Sequence, residues 1–295
     1  MNRHPLPRSL TLLLVLILSS CTAPGSPNPA PASLTPTPAS TPTASPVPLA
    51  VSVNRQGIPV PEFNAELARY QQAQTALGNT VSLEAATKAV RDEFVDTLLL
   101  AQAAAASGYQ VEDAALQSRI DSLDTQIGGA DKLAAWEATH GYTEADFRDD
   151  LRLQMAAALM RDKIAASIPA TAEQVHVKQI LLYNADAAQQ ALGYLKAGWK
   201  FPDLAAQYDP VTKGELGWFP RGYLSDPAIE KAAFALQPGQ YSDVIQTQAG
   251  YDILYLVERD PARLLSPDAL LTLQQHAVQN WLAAQRNQSK ILFVP

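Results

Sequence analysis

The fold of the second half of this chain is decided by residues 214–222, which read GELGWFPRG. Gly214 and Gly217 bracket a turn and the start of a strand, because glycine accepts turn conformations most readily. Asp226 and Pro227 follow closely and predict a helix, since aspartate caps a helix start and proline favours the first helical position. The stretch therefore predicts a short strand between helices, in a domain that mixes both kinds of element.

The surrounding sequence predicts the rest of this domain over residues 173–260. Apolar and polar residues alternate from Val175 to Leu182, as in a strand. Helices are predicted from about Ala185 to Ala197 and from Phe201 to Tyr208, and two closing strands from Tyr241 to Gln246 and from Tyr251 to Val257. This order predicts an α+β domain with helices on one side of a small sheet.

Residues 50–170 are rich in alanine and predict helices after a strand, a turn and a second strand at 51–60. Ser82 is predicted to cap one helix, and Thr143 with Asp146 resembles a capping box. Three apolar stripes recur at helical spacing: Phe63, Leu67 and Tyr70; Val90, Phe94, Leu98 and Ala101; Phe147, Leu151, Met155 and Leu159. Ordinary core packing explains them, but such a unit could also cradle unfolded chains, and both interpretations stay open.

Residues 262–295 predict a closing helix. Ser266 caps it and Pro267 occupies its first position. One face carries apolar side chains: Leu270, Ala277, Val278, Trp281 and Leu282. A stripe that contains a tryptophan must pack on something, so we expect this helix to dock back onto the helical unit.

The first 20 residues predict an export signal, with two arginines before a short apolar run. The run is roughly nine residues against the about 20 that span a bilayer, so a transmembrane anchor is the weaker alternative. Residues 18–21 resemble a bacterial lipobox that ends in Cys21, the chain's one cysteine, which we expect to be lipidated and to attach the protein to a membrane. Residues 21–49 are mostly Pro, Ala, Ser and Thr and predict a disordered tether, with a proline-motif docking site as the alternative.

Composition excludes several functional classes. The net charge is −7 and no Lys/Arg-rich run is present, which argues against a nucleic-acid partner. The histidines are scattered at positions 4, 140, 176 and 276, so the sequence predicts no metal site. It contains neither a G-x-S-x-G elbow nor a glycine-rich phosphate loop, and it predicts no cofactor.

Residues 214–222 resemble the parvulin stretch that reads Gly, an acid, Leu-Gly, an aromatic residue and then Arg-Gly. Residues 232–240, 249–254 and 177–181 are similar to the helix and turn, the final strand and the first strand of the same family of peptidyl-prolyl isomerases. The resemblance implies a small sheet covered by helices and an apolar wall that holds a proline ring. It maps that wall onto Leu216, Leu224 and Ile229, supported by Phe219 and Phe234. Ordinary core packing is the alternative for these residues.

The polar part of the implied site differs from the family pattern. Gln179 and Asp252 stand where the family usually places two histidines, and Asp209 falls near the position of its Cys or Asp. Gln179 donates and accepts hydrogen bonds and could keep part of a histidine's role. A buried Asp252 must reach water, pair with a donor such as Gln179, or carry a raised pKa. His176 is expected on the opposite strand face from Gln179.

The helical unit, with Val53-Asn54 and Ile58 at its start, resembles the chaperone segment of the SurA and PrsA foldases. The resemblance implies a lipid-anchored extracytoplasmic foldase that binds newly exported polypeptides and their proline-containing segments, and that catalyses prolyl cis–trans isomerisation. A catalytically inactive module of the same fold, which only holds extended chains, is the alternative. A surface structural protein is a third interpretation.

Overall fold

The computed structural model describes residues 48–294. The predicted signal, Cys21 and all but the end of the predicted tether lie outside these residues. The helices are α1 Val60–Ala76, α2 Leu83–Ala106, α3 Asp113–Ile127, α4 Ala130–Thr139, α5 Glu144–Ala166, α6 Ala185–Lys196, α7 Phe201–Tyr208, α8 Pro227–Ala235 and α9 Pro267–Gln288. The strands are β1 Leu49–Val53, β2 Gln56–Pro59, β3 Thr171–Leu182, β4 Glu215–Pro220, β5 Ile245–Gln246, β6 Tyr251–Leu264 and β7 Ile291–Phe293.

Two antiparallel sheets organise the described residues, and the predicted α+β class is confirmed. The smaller sheet has the order β2-β1-β7, so β7 from the far end of the chain pairs with β1. The sequence predicted the β1–β2 hairpin but not β7. The larger sheet has the order β4-β3-β6-β5, with the two long strands β3 and β6 at its centre. Among residues 48–294, every helix is too short or too polar to cross a membrane.

The helical unit packs around the predicted stripes of α1, α2 and α5. Phe63, Val90 and Leu98 are buried, and the Ser82 hydroxyl accepts a hydrogen bond from the Ala85 N–H as the cap of α2. The Leu159 prediction was wrong, because its side chain is 37% exposed. The C-terminal half of α5 turns the neighbouring residues Ala157 and Met160 towards α2 and α9 instead.

The predicted docking of the closing helix is confirmed. Trp281 and Leu282 of α9 pack against the buried residues of both α2 and α5. The Arg286 guanidinium reaches across to α2, where Nε donates to Asp96 Oδ1 at 2.8 Å and Nη1 to Asp92 Oδ1 at 3.2 Å. The C-terminal end of the described chain is therefore part of the helical unit's core.

The expectation of helices on one side of the larger sheet was wrong. Ile180 and Ile253 pack beneath α6 and α7, whereas Val177 and Leu254 pack beneath α8. Successive residues of a strand point to opposite faces, so Ile253 and Leu254 assign the helices to opposite sides. We name the side covered by α8 the α8 face.

The last strands also differ from the prediction. Strand β6 continues past Val257 to Leu264, whereas the predicted strand from Tyr241 to Gln246 is reduced to β5 and an isolated bridge between Tyr241 and Tyr255. The Leu254 N–H donates to the Ser242 hydroxyl at 2.9 Å, which takes the place of a backbone carbonyl in the ladder. This side-chain bond interrupts regular pairing at the sheet edge.

Candidate functional site

Gly214 fixes where the decisive stretch enters the sheet. Its φ is +72°, and its carbonyl accepts a 2.7 Å hydrogen bond from the Gln179 N–H. A Cβ on this residue would stand 2.1 Å from the Gln179 carbonyl oxygen. Only glycine allows so close an approach of two backbones, so the start of β4 is tied to β3 at a predicted site residue.

A β-bulge directs Leu216 to the α8 face. Val177 pairs with Gly217 and Lys178 pairs with Glu215, which leaves Leu216 as the extra residue of β4. A bulge turns a side chain from the face that strict alternation would give it. Leu216 accordingly packs with the α8-face cluster that includes Phe219.

The structure brings all five predicted wall residues into one cluster. Phe219, Ile229 and Phe234 are buried, and the two phenyl rings meet edge-on with centroids 6.1 Å apart. Leu216 and Leu224 are only partly buried and lie at the margin of the same cluster. Phe219, Ile229 and Phe234 are buried beneath this margin and support it. Leu216 and Leu224 are therefore the predicted wall residues that could touch a ligand.

Four further side chains belong to this margin, Tyr223, Ala232, Leu236 and Ile245, and the sequence analysis assigned none of them to the wall. Tyr223 and Ile245 are partly buried against the same cluster. Tyr223 adjoins Leu224 in the chain, which was the available signal. Ile245 comes from β5, and nothing in its local sequence separates it from ordinary strand residues.

Asp252 lies on the α8 face, two residues before Leu254 on β6, and is 3% exposed. The Thr247 hydroxyl donates to Asp252 Oδ2 at 3.1 Å. Burial raises the pKa of the Asp252 carboxyl, the Thr247 hydrogen bond opposes that rise, and the charge of Asp226 adds to it. Of the alternatives predicted for Asp252, the structure shows a hydrogen-bond donor, Thr247 of the β5–β6 hairpin, together with a raised pKa of the Asp252 carboxyl.

Gln179 lies on the same face. It follows Val177 by two residues on β3 and pairs with Leu254 of β6. Its side chain is only partly buried, so the amide keeps access to solvent or to a bound chain. The structure therefore places Gln179 and Asp252 together on the face that carries the predicted wall residues.

Replacing Asp252 by Asn is expected to stabilise the protein increasingly as the pH rises. A raised folded-state pKa makes ionisation costly, so wild-type stability is fully present below the ordinary aspartate pKa and is lost as the pH rises through the folded value. Denaturant unfolding of both proteins from about pH 4 to about pH 8 measures the difference. Asp243→Asn, at an exposed site of the same domain, is the control, and a difference that is flat with pH would contradict the prediction.

Asp209 has a local structural role at the end of α7. Its Oδ1 accepts hydrogen bonds from the backbone N–H groups of Val211 and Thr212 at 3.1 and 3.0 Å, and its other oxygen accepts from the Thr212 hydroxyl. The Thr212 hydroxyl, followed by the backbone donors, lowers the pKa of this carboxyl. The carboxylate therefore stabilises the turn before β4, and its assignment to the reacting group stays a prediction.

His176 lies away from the wall. Its ring stacks on Trp218 with centroids 5.4 Å apart, and Nε2 contacts the Glu215 carboxylate, which Lys178 also pairs at 3.0 Å. Lys178, two residues on from His176, shares its face and alternates with Gln179. In the part of the chain that the structure describes, no group of three or more His, Cys, Asp or Glu could hold a metal ion.

Two parts of the chain match models of known families. A PPIC-type PPIase domain matches residues 169–270, and a SurA-like N-terminal domain matches residues 36–161. Both resemblances stated from the sequence motifs are thereby confirmed.

Named relatives match about half of this chain. It is 29% identical over 161 residues to the foldase protein PrsA of Bacillus subtilis (strain 168), covering 51% of this chain and 54% of that protein. It is 33% identical over 162 residues to foldase protein PrsA 2 of Listeria innocua, covering 50% and 55%. The chain thus spans about half the length of the curated relatives it matches.

A solved structure, the peptidylprolyl isomerase PrsA from Bacillus cereus, is 22% identical, with 82% of this chain and 88% of that chain covered and a TM-score of 0.46. The two family matches cover most of the chain between residues 36 and 270. The chain therefore matches a SurA-like N-terminal domain in its first half and a PPIC-type PPIase domain in its second half.

Proposed function

We propose that this chain is an extracytoplasmic foldase, which binds newly exported polypeptides and accelerates cis–trans isomerisation at their prolines. One observation carries the proposal. Leu216 and Leu224 form a half-buried apolar margin on the sheet face that also bears Gln179 and Asp252. The relatives named as foldases support the wider role, and the family matches support the reaction type.

The reaction asks little of the protein. A peptide bond resists rotation by about 18–20 kcal/mol because of its partial double-bond character. Rotation needs no nucleophile, metal or cofactor, only a grip on the proline ring and a site that favours the twisted amide. Leu216 and Leu224 would provide the grip, and the Gln179 amide would offer a donor and an acceptor to the turning peptide.

Asp252 would support the site without contacting the substrate. At 3% exposure it has little surface to offer a substrate. The hydrogen bond from Thr247 to Asp252 instead holds the β5–β6 hairpin against the α8 face of the sheet. This residue would therefore shape the site and leave contact with the substrate to its neighbours.

A holding module without catalysis is the second candidate. The observation in its favour is that Asp252, which stands where the sequence resemblance implies a histidine, is a buried carboxylate bonded to Thr247. Under this alternative, the same apolar margin would bind extended chains but would not change the rate of rotation.

Leu224→Ala is expected to lower kcat/KM for prolyl isomerisation about tenfold without unfolding the protein, because it removes apolar contact with the proline ring. Proline-limited refolding of a model protein, with the chain lacking residues 1–47, measures this. Leaving Pro48 in place preserves its carbonyl as the acceptor for the Val60 N–H. Val211→Ala, at an 87% exposed site in the same domain, is the matched control.

The wild-type result separates the two candidates. Acceleration at catalytic amounts supports the foldase enzyme. No acceleration, with aggregation suppressed only at stoichiometric amounts, rejects the enzyme and favours the holding module.

We also propose that Cys21 carries a lipid and that residues 21–47 form a tether between the membrane and the folded part, since Pro48 and Leu49 belong to the folded part through the Val60 hydrogen bond and strand β1. The lipobox-like residues 18–21 and the proline-rich composition support this. Stable anchoring needs more than one acyl chain. Fractionation of producing cells is expected to find the wild type with membranes and Cys21→Ser in the soluble fraction. Equal distribution of the two proteins would reject the anchor.

A further inference from the structure

The loop that carries Tyr223 and the wall residue Leu224 connects β4 to α8 and is held by Glu230 in the first turn of α8. One carboxylate oxygen, Oε2, accepts hydrogen bonds from the N–H groups of Gly222, Tyr223 and Leu224 at 2.8, 3.1 and 3.4 Å. Hydrogen bonds to a charged acceptor are stronger than neutral ones. A single side chain therefore sets the path of residues 222–224, which we name the wall loop.

The wall loop is held from its other side by the closing helix. His276 Nδ1 of α9 lies 2.8 Å from the Gly222 carbonyl oxygen, and because a carbonyl only accepts, the histidine donates. Leu273, one turn earlier on α9, packs against the position that a Cβ on Gly222 would occupy, at 3.3 Å. Gly222 is thus bonded through its N–H to α8 and through its C=O to α9.

The surroundings make this polar contact decisive for the loop's position. A cleft of about 430 Å³ lies beside it, lined by Ile168, Ala172, Arg221, Leu273, His276 and Asn280 among others. Helix α9 itself is fixed to the helical unit through Trp281 and Arg286. With open space beside the loop, the hydrogen bond to His276 restrains its movement towards the cleft.

We propose that Glu230 and His276 are positioning residues that jointly fix the wall loop, so that the helical unit sets, through α9, the position of Leu224. The inference rests on the proposed isomerase function in so far as Leu224 grips proline. The mechanical link from α9 to the loop stands independently of it. A client held by the helical unit and a proline at the wall would then be coupled through one bonded path.

The consequence for catalysis has a definite kinetic form. Leu224 would hold the proline ring equally in the ground state and the transition state, so a loosened loop weakens binding uniformly. Uniform loss raises KM and leaves kcat nearly unchanged. A loss of folded protein would instead lower the apparent kcat at constant KM.

The test uses the full-length protein and His276→Ala and Glu230→Ala variants, with Gln275→Ala and Lys231→Ala as controls at exposed neighbours on the same helices. Amide hydrogen exchange at residues 222–224 is expected to become about tenfold faster or more in both variants, because each bond lost lowers the local opening energy. KM for a proline-containing peptide is expected to rise several-fold with kcat within about twofold. His276→Asn, whose side-chain amide places a donor at the same distance from the backbone, is expected to restore both values.

The outcomes are distinguishable from a failure of the proposed function. If the wild type shows no isomerisation, the exchange rates and the Kd of the same peptide still test the link. Unchanged exchange at residues 222–224 in either variant would overturn the proposal. A fall in kcat at constant KM, accompanied by lower thermal stability, would overturn it as well.

Discussion

Removing residues 266–295 is expected to abolish the cooperative unfolding transition of the helical unit. The cut spares β6, which ends at Leu264, and takes away all of α9 and β7. Trp281 and Leu282 pack against buried residues of both α2 and α5, and Ile291 packs beside β1. Their loss would open two apolar clusters to water in one step.

The magnitudes make this the largest effect. Truncating a single buried large side chain costs about 2–5 kcal/mol, and a whole domain is stable by about 5–15 kcal/mol. The deletion removes three large side chains that are partly buried against this core, Trp281, Leu282 and Ile291. It also removes the pairing of β7 with β1 and the Arg286 bonds to Asp92 and Asp96. We expect the summed loss of stabilising free energy to exceed the free energy of unfolding of a unit of this size.

Thermal unfolding followed by circular dichroism, with amide exchange to separate the two domains, measures the result. Trp281→Ala is expected to lower the melting temperature in the same direction, whereas Leu271→Ala on the same helix, 54% exposed, is expected to change it little. An unchanged melting curve for the truncated helical unit would mean that α9 rests on the unit without stabilising it.

Local sequence signals predicted local structure well. Ser82, Thr143, Asp226 and Ser266 cap their helices as expected. A short polar side chain on a residue with extended backbone accepts a hydrogen bond from a free N–H of the first helical turn. Such signals depend only on nearby residues. They are therefore readable before anything is known about the fold.

Contacts between residues that are distant in sequence could not be predicted from the sequence. The pairing of β7 with β1 joins residues more than 230 positions apart, such as Val51 and Phe293. No local pattern distinguishes that three-residue strand from a frayed end. The two-sided covering of the larger sheet was missed for the same reason, since α8 and α6 have similar apolar stripes and only the crossing connections decide their side.

The candidate site shows the same difference between local signals, which could be predicted, and distant contacts, which could not. The wall residues were mapped through the resemblance alone, and the structure places all five in one cluster. The donor for Asp252 could not be predicted, because Thr247 reaches the carboxylate across a hairpin. The sequence suggested Gln179 as the donor instead. Glu230 escaped notice because its three backbone donors carry no sequence signature.

Gly214→Ala is expected to destabilise the PPIC-type domain severely, and Gly217→Ala is its matched control. Both glycines have positive φ, +72° and +79°, so alanine meets a left-handed penalty of about 1–2 kcal/mol at either position. At Gly217 a Cβ would meet nothing within 4 Å, whereas at Gly214 it would stand 2.1 Å from the Gln179 carbonyl oxygen. The comparison therefore isolates the close approach of the two backbones from the conformational cost.

The clash cannot be relieved by a rotamer change, because the atom it meets belongs to the central strand β3. Relief requires β4 to move away, which breaks the bond from the Gln179 N–H to the Gly214 carbonyl and disturbs the bulge that directs Leu216. We expect Gly214→Ala to cost about 2 kcal/mol or more beyond Gly217→Ala in denaturant unfolding. Equal costs would mean that the stretch at 214–222 is held by its turn conformation alone, and that the contact with Gln179 does not decide where β4 joins the sheet.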